Sequence, residues 1–353
     1  MKICLHTIWK VGNYGAELQT YATVKVLRSL GHEVEVVNMS LKGINAASIR
    51  KFVTDLLTFC SPANFKFRKF WKKYIPHSRF YKNSDELKKS PPKADLYIVG
   101  SDQVWNPNIT RKFKFSYFLD FVQGKKKVAY GSSFGISEWN ESEADTEKIK
   151  GLLMQFSAIG CREATGVKLL HDCFGAHAVN VIDPTLLHDG YDELTGPVSD
   201  KDSLVYYPLI QGHQLEGSCK KLADKLFLKF NNIGKLTYFP FTKNITWNRN
   251  SIAKWIQGIA EASFVVTQSF HGVCFSIIYR RNFAVVVDES LIDRISRVKD
   301  LLASLKLDCR IFYSSDDFFK SKIWETPINY DEVYEVLDAK RRVSIEFIRN
   351  IIK

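Results

Sequence analysis

The stretch Val265-Val266-Thr267-Gln268-Ser269-Phe270-His271-Gly272-Val273 sets a histidine just inside what the pattern predicts as a helix following a strand. Ser269 is the predicted N-cap, so His271 and Gly272 fall in the first turn, where backbone N–H groups lack partners inside the helix. A histidine there can hold an anion and exchange a proton with it, because the helix dipole and a bound phosphate push its pKa in opposite directions. A histidine that only caps or packs uses the same letters, and the sequence leaves both readings open.

Three other segments carry usable chemistry. Gly100-Ser101-Asp102-Gln103-Val104-Trp105-Asn106-Pro107 follows an apolar strand. Asp102 and Gln103 suit sugar hydroxyls, and the Trp105 indole suits a ring face; an Asx-capped turn closed by Pro107 is the plainer alternative. Gly12-Asn13-Tyr14-Gly15 lies between the first predicted strand and a helix, where glycines let backbone N–H groups approach an anion, or simply make a tight turn. Arg162 ends another predicted strand, where a guanidinium can meet a carboxylate or phosphate, or water.

Other patterns fail. No dinucleotide or phosphate-loop glycine fingerprint is present. Gly131-Ser132-Ser133-Phe134-Gly135 matches G-x-S-x-G in letters, but no helix is predicted directly after it, and a triad would need an Asp or Glu and then a His downstream to join it. His171, Cys173 and His177 have no second ligand pair nearby, and no metal is predicted.

The elements that must position these groups alternate between short β-branched or aromatic runs and helix-length amphipathic segments, which predicts α/β layers with parallel strands. Strands are predicted over 2–7, 34–38, 96–100, 128–131, 157–161 and 179–183, then over 204–209, 235–239, 264–267 and 283–287. Helices are predicted over 16–30, closed by Gly31, and over 141–155, 215–230, 251–260, 290–304 and 331–353. The chain has 353 residues, enough for two domains at roughly 150 each. The division reads as an N-terminal Rossmann-like domain over 1–184, a linker over 185–202, a C-terminal Rossmann-like domain over 203–328 and a closing helix over 329–353. Two such domains are expected to face each other across a cleft holding the site.

Hydrophobic residues at 45% and charged residues at 25% exclude a wholly disordered chain, but Lys and Arg outnumber Asp and Glu by 12. Between Asn64 and Ser90, nine Lys and Arg stand against Asp85 and Glu86, so +7 of that excess is local. There Phe67, Phe70, Trp71 and Tyr74 recur at helical spacing opposite Arg68, Lys69, Lys72 and Lys73. This suits an anionic membrane surface, or a helix packing its aromatics on the core; nucleic acid is not expected, since no binding module accompanies the charge. Seven cysteines without regular spacing, no signal-peptide pattern and no long apolar run predict a cytoplasmic protein, peripheral at the inner face of the membrane if it works there at all.

Taken together, the segments resemble the polysaccharide pyruvyl transferase family. The pieces are Asn13-Tyr14-Gly15-Ala16-Glu17-Leu18-Gln19-Thr20-Tyr21-Ala22, the 100–107 segment, Tyr130-Gly131-Ser132-Ser133-Phe134-Gly135, Arg162-Glu163, Asp183-Pro184-Thr185-Leu186-Leu187 and Ser269-Phe270-His271-Gly272. The resemblance covers about residues 3 to 310 and implies a GT-B-like pair of Rossmann-like domains. It implies transfer of pyruvate from phosphoenolpyruvate, the donor substrate, onto a hexose of a surface polysaccharide or its lipid-linked precursor, usually as a ketal, with no cofactor. It implies that Arg162 and His271 serve the donor. From the chemistry of that transfer, Ser269, Gly272 and Arg297 are expected beside them, with His271 and Asp102 catalytic. Asn13, Tyr14, Asp102, Gln103 and Trp105 are assigned to the acceptor.

One departure stands out: many members carry an arginine two residues before the histidine, where this chain has Ser269. Arg280, Arg281, Arg294 and Arg297 are the candidates to replace it. The competing readings are a GT-B glycosyltransferase using a nucleotide sugar and a non-catalytic glycan-binding or assembly protein. Against the first, no Glu lies eight positions after another, the spacing many such enzymes use to hold their donor.

Overall fold

The computed structural model describes the chain except residues 40–48, 210–212, 241, 243, 288–291, 293 and 294, with residues 49–53, 213 and 214 described by backbone alone. It divides into two compact units. The first comprises Met1–Asn45, Trp71–His188 and Val336–Lys353, the second Ala46–Phe70 and Asp189–Glu335.

The first unit is built on β1 (Lys2–His6), β2 (Glu33–Met39), β3 (His77–Tyr81), β4 (Leu96–Val99), β5 (Lys126–Ser132), β6 (Ala158–Cys161) and β7 (Val179–Asn180). They form one parallel sheet in the order β3-β2-β1-β4-β5-β6-β7. The central β4, Leu-Tyr-Ile-Val, is buried at every residue, as a parallel strand covered on both faces must be. Trp105, Tyr117, Phe118, Phe134 and Phe174 belong to the hydrophobic core beside it. The order of strands reverses between β1 and β4, so their carboxyl ends flank the switch point where open α/β sheets bind ligands.

The second unit contains β8 (Lys201–Tyr207), β9 (Lys229–Asn232), β10 (Thr237–Tyr238), β11 (Thr246–Asn248), β12 (Ala262–Thr267), β13 (Asn282–Val286) and β14 (Ile311–Phe312). Its parallel sheet runs β14-β13-β12-β8-β9, with the reversal between β8 and β12. Strands β10 and β11 pair antiparallel on their own.

The units depart from the division read in the sequence. Residues 46–70 group with the second unit, and 336–353 with the first, where Ser344 Oγ accepts from Ile182 N at 3.0 Å and Arg341 Nε donates to Leu186 O at 2.8 Å. The expected linker contains the helix Asp192–Thr195, and the helix Pro184–Leu187 runs into it; Thr185, Leu186 and Tyr191 are buried. Asp183 caps the helix Pro184–Leu187 and Gly196 ends the helix Asp192–Thr195. The helix expected over 215–230 is shorter: it ends at Lys225, and the chain turns at Phe227 with φ of 56° and starts β9. The edge strand β3 was missed because it is polar and half exposed. Of the helix expected over 290–304, Ser296–Ser304 is helical, and 290, 291, 293 and 294 lie outside the described residues.

The basic helix is present at Pro62–Tyr74, but its aromatic side is not a free face: Phe67, Phe70 and Trp71 are buried. Trp71 Nε1 donates to Glu17 Oε2 at 2.7 Å, and the Arg249 guanidinium lies 4.8 Å over the Phe67 ring. The core therefore takes the aromatics, and Arg68, Lys69, Lys72 and Lys73 are left at the surface. No helix among the described residues is long and apolar enough to cross a membrane.

Candidate functional site

In the first unit, residues from the carboxyl ends of several strands form a dense polar cluster. Arg162, just past β6, donates from Nη1 to Asp183 Oδ2 at 2.6 Å and to Ser101 Oγ at 3.3 Å, and from Nε to Glu163 Oε1 at 3.0 Å. Asp102 Oδ1 lies 4.0 Å from Nη2. Burial disfavours the guanidinium's charge, but Glu163, Asp183 and Asp102 outweigh it and raise the pKa above its ordinary value. The expected cation at an open edge is instead a buried ion-pair hub, with its charge answered by carboxylates of its own unit.

Asp183 completes the hub: its Oδ1 caps the following turn, accepting from Thr185 N at 2.9 Å and Thr185 Oγ1 at 2.6 Å, while Oδ2 also accepts from Ser101 Oγ at 2.9 Å. The sequence reading named Asp183 only as part of the motif Asp183-Pro184-Thr185-Leu186-Leu187 and gave it no role in the site. The available signal was an Asp before a Pro with a Thr two residues on, the pattern of a helix cap.

Asp102 sits directly after Ser101 with φ of 77°, in the left-handed region that a branched or acidic side chain enters at a cost of about 1–3 kcal/mol. A parallel bridge to Ser132 and a bond from Gln103 N to its own Oδ1 at 2.9 Å hold it there. Gln103 packs over Gly135, where an added Cβ would lie 2.2 Å from Oε1, and accepts from Asn106 Nδ2 at 2.7 Å. Trp105 differs from its expected role: it is 1% exposed, stacks on Phe118 at 5.5 Å and donates to Tyr117 O. It is a core residue, with no free ring face for a sugar.

Asn13 is exposed and caps the helix Tyr14–Ser29, accepting from Ala16 N at 3.2 Å, whereas Tyr14 is buried. The loop before them is organised by a residue the sequence reading did not single out. The buried Glu17 carboxylate accepts from the N–H groups of Lys10, Val11 and Gly12 at 3.1–3.2 Å, and from the Trp71 indole. Burial outweighs these bonds and pushes the Glu17 pKa up to about 7.

In the second unit, β8 and β12 end side by side, and Thr267 ties them together. Its Oγ1 donates to Tyr207 O at 2.9 Å and accepts from Ser269 N at 3.1 Å. Ser269 is the N-cap of helix Phe270–Ile278, with Oγ accepting from Gly272 N at 3.4 Å. Gly272 must be glycine, since an added Cβ would lie 2.4 Å from Thr267 Oγ1. His271 is therefore in the first turn at the switch point, 6% exposed and edge-on to Phe270 at 5.2 Å. The Arg297 guanidinium lies 5.7 Å from the Phe270 ring centroid. Arg280 pairs with Asp331, Arg281 pairs with Asp200 and Arg294 lies outside the described residues; Arg297 is the candidate cation here by its position beside Phe270.

Several solved structures share the fold at low identity. UDP-GlcNAc 2-epimerase from Neisseria meningitidis bound to UDP-GlcNAc is 9% identical, with a TM-score of 0.53 over 100% of this chain and 99% of that one. Arabidopsis thaliana UGT89C1 complexed with UDP-L-rhamnose is 9% identical, with a TM-score of 0.53 over 99% and 98%. A putative UDP-N-acetylglucosamine 2-epimerase from Listeria monocytogenes is 11% identical, with a TM-score of 0.52 over 96% and 91%. The α/β, GT-B-like fold expected from the sequence is the fold found. A search of curated proteins returns no match. The family model for polysaccharide pyruvyl transferase matches residues 13–290, a span that takes in both polar clusters, and the chain belongs to that family.

Proposed function

We propose that the protein transfers pyruvate from phosphoenolpyruvate to two hydroxyls of a hexose, forming a ketal on a surface polysaccharide or its lipid-linked precursor, at the cytoplasmic face of an anionic membrane that the cationic 64–90 segment faces. The observation that carries the reading is the first turn of helix Phe270–Ile278 in a chain of this family: a histidine and a nearby arginine at a helix N-terminus, at the switch point of its sheet.

The chemistry divides as follows. One sugar hydroxyl adds to the enol carbon while a proton goes to the methylene, giving a methyl group. The second hydroxyl then adds to the same carbon, the C–O bond to phosphate breaks, and inorganic phosphate leaves with the second hydroxyl proton. The donor's carboxylate and phosphate need fixed positive ends, which the helix N-terminus and Arg297 supply. His271 moves a proton between hydroxyl and methylene. In the first unit, Asp102 receives acceptor hydroxyls alongside Gln103 and Asn13, and Arg162 acts through Asp102 and Asp183 as a positioning residue. Ser269 contributes its cap where many members carry an arginine. No cofactor enters the scheme.

The test is phosphate release from phosphoenolpyruvate in the presence of candidate lipid-linked glycans, with mass spectrometry of the glycan. His271→Ala and Arg297→Ala should each lower the rate at least about a hundredfold; near-normal release from both variants sinks the assignment. The structural neighbours complexed with UDP-sugars support a second reading, a nucleotide-sugar glycosyltransferase. Thermal stabilisation by a UDP-sugar and not by phosphoenolpyruvate would favour it.

A further inference from the structure

Between Asp55 and Asp85 the chain carries seven Lys and Arg and no Asp or Glu. This stretch holds a sharp helical corner. Helix Ile49–Cys60 turns at Ser61 into helix Pro62–Tyr74, with Ser61 Oγ accepting from Asn64 N at 3.1 Å and Asn64 Nδ2 donating back to Phe59 O at 3.3 Å. Three large apolar side chains stand in solvent at this corner: Leu56 is 50% exposed, Phe59 53% and Phe65 63%.

Phe65, Arg68, Lys69 and Lys72 recur at i, i+3, i+4 and i+7, a stripe about 200° around the helix from the buried Phe67, Phe70 and Trp71. The Arg68 guanidinium lies 3.9 Å over the Phe59 ring, so an aromatic face and a cation are held together in the open. Exposed aromatics beside cations that no carboxylate of the same stretch offsets match the headgroup layer of an anionic bilayer, which takes rings at its polar boundary and cations at its phosphates.

We infer that this corner is a membrane-contact face, with Leu56, Phe59 and Phe65 entering the headgroup layer of an anionic phospholipid surface and Arg68, Lys69 and Lys72 meeting its phosphates. It deepens the membrane approach proposed above and rests on that part of the reading, not on pyruvyl transfer. It also exchanges the apolar face read from the sequence, now packed in the core, for a different one on the same segment.

The test is co-sedimentation of the full chain with vesicles of equal parts phosphatidylglycerol and phosphatidylcholine, and with phosphatidylcholine alone, at about 0.1 M salt. The wild type should bind the first and not the second. Phe59→Ser/Phe65→Ser and Arg68→Glu/Lys69→Glu should each weaken binding about tenfold or more, while Lys125→Glu/Lys126→Glu, with the same change in charge, should not. Circular dichroism checks that each variant is folded. Three results overturn the inference: no wild-type binding, wild-type-like binding by the Phe59→Ser/Phe65→Ser protein, or equal loss in the Lys125→Glu/Lys126→Glu protein. A fourth is a concentration-dependent dimer in sedimentation velocity that Phe59→Ser/Phe65→Ser dissociates, which gives the face to a second copy of the chain. Phosphate release with a soluble acceptor, measured on the same proteins, separates any failure here from failure of pyruvyl transfer.

Discussion

Arg162 and Asp183 meet Nη1 to Oδ2 at 2.6 Å with side chains 2% and 0% exposed, so the ion pair is almost wholly out of water. It joins the carboxyl ends of β6 and β7 to Ser101 beyond β4, and it puts a guanidinium within 4.0 Å of the strained Asp102. The pair therefore fixes the shape of the first unit's polar cluster before any ligand arrives.

Removing Arg162 leaves Asp183 and Glu163 buried without their cation, which costs about 3–5 kcal/mol; removing Asp183 costs less, because Arg162 keeps Glu163 at 3.0 Å. Arg162→Ala and Asp183→Ala should each lower the urea midpoint by a corresponding amount. The double change should be less damaging than the sum of the two. Additive losses in the double-mutant cycle would show that the pair is not coupled.

Glu17 gives the protein a pH-dependent element. Its carboxyl is raised in the folded chain from 4.5 to about 7, mainly by burial. The folded state thus holds its proton more tightly than the unfolded state, so this contribution is full below the unfolded value and is lost as pH rises through the folded one. Thermal midpoints measured between about pH 5 and pH 8 should decline on this account, and Glu17→Gln should flatten that part of the curve whatever its effect at a single pH. An unchanged slope rejects Glu17 as the titrating group.

His6 titrates in the opposite sense. Burial lowers its pKa from 6.5 to about 3, where it stacks on Tyr117 at 4.3 Å. Its contribution is present above the unfolded value and disappears as pH falls from there toward the folded one. Replacing it with the similarly flat, uncharged ring of His6→Phe should reduce acid sensitivity in urea titrations between about pH 6 and pH 4.

At the second cluster, Gly272→Ala forces a Cβ to within 2.4 Å of Thr267 Oγ1, the atom that holds both Ser269 N and Tyr207 O. Overpacking of this kind costs about 1–3 kcal/mol. Because relief requires moving the cap of the His271 turn, turnover with phosphoenolpyruvate should fall further than stability does. Thr267→Ala combined with Gly272→Ala should recover midpoint stability relative to Gly272→Ala alone.

Trp105 separates core from site. Trp105→Ala should cost about 3–5 kcal/mol as a large core truncation, and Trp105→Phe much less. Acceptor KM should stay unchanged for Trp105→Phe at a temperature where it is folded. A raised KM there would restore the indole to the acceptor site.

The letters around His271 were enough to foresee its surroundings, because capping is local: Ser269, a strand before it and an apolar run after it can only be arranged in one economical way. The alternation of apolar runs likewise determined two α/β layers, since each buried parallel strand must read as a continuous apolar segment. What the letters around Arg162 did not reveal was its partner, because Asp183 is 21 residues away and reaches it only when β6 and β7 pair. Trp105 illustrates the same limit, since an indole beside Asp and Gln looks the same in sequence whether its face is open or stacked on Phe118.

Sequence by itself determined the period of the helices over 16–30, 251–260 and 331–353, the excess of cations over 64–90 and the family motifs, all of which depend on near neighbours along the chain. Tertiary structure alone decided which face of the basic helix is buried, because both stripes have the same 3.6-residue period and packing selects between them. It took Phe67, Phe70 and Trp71 into the core and left Phe65, Arg68, Lys69 and Lys72 outside.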